Sequence, residues 1–200
     1  FVSNIIGTKE ISPAYFPVPN LTEGPIISIN FDDGFASAYK VGMPIVDKEG
    51  FKTTHYITIN RIGEYTYMSR RQILKLQEDG HEIGAHTLTH PNLTELSAEN
   101  ARKEIFNSKT ELLGKGILRV STFAYPHGDF NDSVVNLVKE TGVYGARITA
   151  PGLNDKTTDP YKLLYLGMNS EMTFEKVKQT IDEAIAKKKW LILVFHRIGE

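Results

Sequence analysis

The chain has 200 residues, 40% of them apolar, and a formal net charge of −1. That length suits one substantial core, since domains usually run to roughly 100–200 residues, and the charge supplies no basic excess to hold a nucleic-acid backbone or an anionic membrane surface. There is no cysteine, so a disulfide framework and thiolate chemistry are excluded and any metal must be held by His, Asp or Glu; no apolar run approaches the roughly 18 residues of a membrane span.

Residues 1–24 carry Pro13, Pro17, Pro19 and Gly24 with little periodicity and read as an irregular N-terminal arm, with one domain following over 25–200. From Ile26 onward, short apolar or β-branched runs alternate with helical patterns. The predicted strands are 26–31, 53–59, 81–86, 121–126, 144–149, 163–168 and 190–196, and the predicted helices are 36–48, 69–79, 97–113, 131–141 and 173–188. Ser69, Ser97 and Asn131 stand where N-caps belong, and Gly50, Gly80 and Gly142 where helices should stop. In the last helix Phe174, Val177, Ile181 and Ile185 are expected to face inward, with Lys187, Lys188 and Lys189 as a solvated end that suits the helix dipole. Strands interleaved with helices imply parallel pairing, either a doubly wound sheet or a barrel, and about seven strands favour an α/β fold closed as a (β/α) barrel.

Active sites of such barrels gather at the C-terminal ends of the strands. There the sequence places Asp32 and Asp33 after the first strand, His86 after the third, Tyr125 and His127 after the fourth, Arg147 in the fifth and His196 after the seventh. Asp32-Asp33-Gly34 would also serve as an ordinary polar strand-to-helix turn, and a lone histidine is more often structural than functional. His86 and His90, four residues apart, could share an ion if their segment makes a helical turn, although Pro91 disfavours helix at His90. One aspartate with two histidines would leave coordination positions open, as catalytic zinc sites do, and Asp32 and His196 would remain as an acid–base pair.

NFDDG (30–34), HTLTHP (86–91), FAYPHG (123–128) and VFH (194–196) together resemble the motifs of the polysaccharide deacetylases of carbohydrate esterase family 4, over about Ile26 to His196. The resemblance implies a distorted (β/α) barrel of about seven parallel strands that removes acetyl groups from an N-acetylated polysaccharide. It makes Asp32 the catalytic base, His196 the general acid and the backbone N–H of His127 the oxyanion donor, with Asp33, His86 and His90 holding Zn2+ or another divalent ion such as Co2+ or Ni2+. It further implies a polysaccharide substrate and an extracellular or cell-surface setting. The form of FAYPHG is similar to the branch acting on poly-N-acetylglucosamine.

Asn30 and Val194 depart mildly from the family's motifs, and a tyrosine is more usual at His127. The Asp- and Trp-rich fourth motif has no clear counterpart. At Ala124 many members carry an arginine that orients the base. Arg147 is the candidate replacement, able to grip Asp32 with one side of its planar fork; the bland alternative is a surface arginine paired with Asp155 or Glu140. Competing functions are an O-acetyl xylan esterase, another metal-dependent amidase, or a sugar-binding domain without catalysis, which would not need base, acid and three ligands together. The sequence ends four residues after His196, so either a closing segment is missing or the arm 1–24 covers the gap.

Overall fold

The computed structural model describes residues 24–199, and the proposed N-terminal arm lies almost wholly outside the described residues. Seven strands, β1 (Ile26–Phe31), β2 (Thr54–Ile57), β3 (Glu82–Ala85), β4 (Thr122–Ala124), β5 (Gly145–Pro151), β6 (Leu163–Gly167) and β7 (Trp190–Phe195), form a closed barrel in chain order. All pairings are parallel, and β1 with β7 closes the ring through six paired positions, Ile26 with Trp190 to Phe31 with Phe195. Helices α1 (Met43–Lys48), α2 (Arg70–Glu78), α3 (Ala98–Gly114) and α4 (Asp132–Glu140) follow the first four strands, and α5 (Phe174–Ala186) joins β6 to β7. Between β5 and β6 there is no helix, and the register shifts between Arg147 and Pro151, which distorts the barrel beside its most deeply buried cation.

The predicted caps are present. Ser69 forms a reciprocal box with Gln72, Ser97 accepts from the Asn100 amide and Asn131 from the Val134 amide, while Gly50, Gly80 and Gly142 adopt positive φ. Two expectations need correction. The segment 36–48 is not one α-helix, because Ala38–Gly42 is wound as a π-turn before α1 begins. In α5 the buried contact is Ala184, whereas Phe174 is 75% and Ile185 50% exposed. A methyl side chain at the contact brings the helix close to Leu191 and Leu193, with Ile181 packed alongside, so the buried stripe is narrow and its flanks stay in solvent.

Inside the barrel Ser28, Asn30, Thr54, Tyr56, Glu82, Thr122, Trp190 and Ile192 line a cavity of about 260 Å³ toward the N-terminal ends of the strands. Glu82 accepts hydrogen bonds from the Thr54 and Thr122 hydroxyls at 2.8 and 2.9 Å. Tyr56 can occupy the barrel because its neighbour across β3 is Gly84, where any Cβ would lie 2.5 Å from the tyrosine ring.

Outside the barrel wall His55 is fully buried, stacked on Phe31 with ring centroids 5.1 Å apart. Its Nε2 lies 3.0 Å from Thr53 Oγ1, which lies 2.9 Å from His81 Nδ1. The Thr53 amide also donates to His81 Nδ1, so that nitrogen carries the lone pair and Nε2–H donates to Asp47. Burial, reinforced by the neighbouring His81, pulls the His55 pKa down to about 3, and burial lowers His81 as well. Both folded values lie below the unfolded value of about 6.5, so the unfolded chain binds more protons and stability falls as pH drops below that value. Between pH 6.5 and 4.5 His55 alone should account for a loss of about 2–3 kcal/mol. Urea unfolding across that range checks this, with His55→Gln expected to flatten the dependence; an equal slope in the variant would refute the assignment.

Candidate active site

Asp32 and Asp33 follow β1 directly and part company at once. The Asp32 amide continues the β1–β7 ladder by donating to Phe195 O at 2.9 Å, and its side chain is buried. Asp33 turns into the left-handed region, φ 68°, followed by Gly34 at φ 82°. Adjacent carboxylates in different backbone conformations can therefore take different tasks.

Asp32 Oδ2 is bound by the Arg147 guanidinium, and Oδ1 is buried with no hydrogen-bond partner. Arg147 is 2% exposed, its Cζ lying 5.5 Å from the Tyr56 ring and 5.0 Å from the Tyr165 ring. Burial raises the Tyr56 pKa, so that ring stays neutral beside the cation. The carboxylates of the surface alternative have other partners, Glu140 with Arg102 and Asp155 with Lys189.

His86 and His90 are brought together by a loop and not by the helical turn their spacing suggested. Thr87 and His90 have φ 65° and 66°, a conformation that reverses the chain within five residues. Thr87 Oγ1 accepts from the His90 amide at 3.0 Å, and Glu104 of α3 takes the amides of Leu88 and Thr89 and the Thr89 hydroxyl at 2.7–2.9 Å. His86 Nδ1 lies 2.7 Å from Ala124 O, which fixes Nδ1 as the protonated nitrogen and turns Nε2 toward Asp33.

The Nε2 atoms of His86 and His90 stand 3.3 and 3.2 Å from Asp33 Oδ1. That oxygen is buried yet forms no well-aligned hydrogen bond. Burial pushes the Asp33 carboxyl up, but the two imidazoles outweigh it and hold the group well below the usual carboxylate range. Three donor atoms within 4.8 Å of one another, around an oxygen lacking a good proton donor, fit a divalent cation with nitrogen and oxygen ligands.

Two residues complete the rim. His196 follows β7, half exposed, with Nε2 3.9 Å from Asp32 Oδ2. His127 lies in the short turn Pro126–Gly128 at φ 57°, its carbonyl accepting from Thr149 Oγ1 at 3.0 Å. Four of the five non-glycine residues with positive φ among the described residues, Asp33, Thr87, His90 and His127, belong to this site. The structure thus brings Asp32, Asp33, His86, His90, His127, Arg147 and His196 to one end of the barrel, while the Tyr125 ring is buried against Phe123 and Phe130. The sequence did not single out Glu104, which braces the histidine loop, or the Ala124 carbonyl, which orients His86. Neither carries a signal in the sequence: Glu104 reads as an ordinary helix glutamate, and a carbonyl has no side-chain identity.

A family model described as polysaccharide deacetylase matches residues 20–146. The chain is 30% identical over 138 residues to the peptidoglycan-N-acetylglucosamine deacetylase of Bacillus cereus, covering 67% of this chain and 62% of that protein. It is 30% identical over 121 residues to the chitooligosaccharide deacetylase of Azorhizobium caulinodans, covering 58% and 55%. Thus the chain spans little more than half the length of these relatives. A solved structure, Streptococcus pyogenes deacetylase PplD in complex with acetate, superposes with a TM-score of 0.73 over 77% of this chain and 69% of that one, at 23% identity, a likeness of fold.

Proposed function

Because this chain belongs to the polysaccharide deacetylase family, we propose that it hydrolyses the acetamide of an N-acetylated polysaccharide, releasing acetate and leaving a free amine on the sugar. The observation that carries the reading is Asp32, one oxygen gripped by Arg147 and the other buried and unpartnered, beside the Asp33, His86 and His90 cluster. Asp32 Oδ1 takes the proton of the attacking water as its oxygen bonds to the acetyl carbon. The His127 N–H donates to the oxyanion that develops there. His196 gives its proton to the departing nitrogen as the C–N bond breaks, and Arg147 keeps the base aimed throughout. Asp33, His86 and His90 would hold zinc, replaceable by cobalt or nickel; such an ion acidifies water and polarises the acetyl carbonyl.

The related proteins act, by their names, on different glycans, and FAYPHG is similar to the poly-N-acetylglucosamine branch. We take the substrate to be a cell-wall or surface N-acetylglucosamine polymer, which places the protein outside the cytoplasmic membrane. No helix among the described residues is long and apolar enough to cross a membrane.

Acetate release should be measured side by side on peptidoglycan, chitin oligomers, poly-N-acetylglucosamine and acetyl-xylan. Release from an N-acetylated glycan, abolished by chelation and restored by zinc, is the expected result. Activity confined to acetyl-xylan would favour the O-acetyl esterase, and full activity in metal-free protein would overturn the metal assignment.

A further inference from the structure

A histidine that ligates a metal almost always donates its second ring N–H to a fixed acceptor, and this bond sets the direction of the ligating nitrogen. His86 has such a partner in Ala124 O at 2.7 Å. His90 has none: among the described residues its ring makes no hydrogen bond, and Nε2 close to Asp33 is its one polar contact. It is also the more exposed of the two, with 26% of its side chain in solvent against 3% for His86. What borders the His90 ring is a pair of other imidazoles, His86 and His127, each with centroids 4.7 Å away and planes inclined at 74°.

We infer that the His127 side chain is a positioning residue for His90, clamping its imidazole edge-to-face against His86 in place of the missing hydrogen bond. The inference rests on the proposed Asp33–His86–His90 metal site and is separate from the role given to the His127 backbone. Aromatic pairs favour this inclined arrangement, because the positive edge of one ring meets the negative face of the other. The backbone supports the geometry. His127 adopts φ 57°, a conformation rare outside glycine, and is pinned there by Thr149 Oγ1 on its carbonyl and by Gly128, whose amide donates to Tyr125 O at 3.0 Å. Position 128 must be glycine, since Thr149 packs so closely that a Cβ there would fall 1.8 Å from its Oγ1. The turn thus delivers a ring to one face of a metal ligand that nothing else secures.

Zinc affinity of the whole chain, measured by competition with a chromophoric chelator, tests this together with the visible spectrum of the cobalt-loaded protein. His127→Asn removes the ring while keeping a residue that tolerates positive φ, so folding is preserved; it should weaken zinc binding about tenfold and alter the cobalt bands. His127→Phe restores a ring without nitrogens and should return both readouts toward wild type. Unchanged affinity in His127→Asn would overturn the inference, as would failure of a His127→Phe protein with wild-type melting temperature to recover it, because an imidazole nitrogen would then be the active element. Failure of the wild-type chain to bind zinc would instead strike at the metal site itself.

Discussion

Asp32→Asn is expected to lower kcat by about 10²–10⁴-fold, the range that a positioned general base contributes, while zinc remains bound. The amide keeps an oxygen that can accept from Arg147, so the grip on this side chain survives, but the group that faces the site no longer takes a proton. Asp32 is not among the three clustered donors, which is why binding and chemistry should separate. Steady-state kinetics with metal analysis of the same preparation checks both halves. A variant with near wild-type kcat would remove Asp32 from the mechanism, and one that has lost its zinc would mean that Asp32 is a ligand. His196→Ala should behave similarly, with zinc retained and kcat reduced.

Arg147→Met is the second large effect, and it should appear in folding as well as in rate. Arg147 and Asp32 are each almost fully buried, and deleting one partner of such a pair leaves the other charge without compensation, typically at about 3–5 kcal/mol. The urea midpoint should therefore fall steeply and kcat with it, since Asp32, the proposed base, loses the contact that aims it. The double variant Asp32→Asn with Arg147→Met carries no buried charge here and should regain much of the stability while staying inactive. Unfolding curves of the single and double variants close this cycle. An Arg147→Met protein with unchanged midpoint and normal kcat would contradict the pairing.

Much of this architecture is legible in the sequence because it rests on local rules. The barrel strands are apolar runs bounded by caps and glycines, and their C-terminal ends carry the polar residues that meet in space. The site itself was harder to read wherever backbone conformation or a carbonyl does the work. The spacing of His86 and His90 suggested a helical turn, yet left-handed residues at Thr87 and His90, held by Glu104, make the approach. Glu104 lies in a helix with the same chemistry as any solvated glutamate, and only the fold shows that it faces a loop. The α5 error has a similar origin: periodicity marks a face but not its width, which Ala184 narrows.

Gly84 ties together parts of the molecule that share no chemistry. It leaves room for the Tyr56 ring, Tyr56 lies against the Arg147 guanidinium, and Arg147 holds Asp32. Position 84 is therefore linked to the proposed catalytic base, which it never touches. Even the smallest gain, a single methyl, would displace the Tyr56 ring and so disturb the Arg147 contact with Asp32. A side chain at this glycine would have to displace both the Tyr56 ring and, 2.9 Å from the same point, the Thr122 hydroxyl that donates to Glu82.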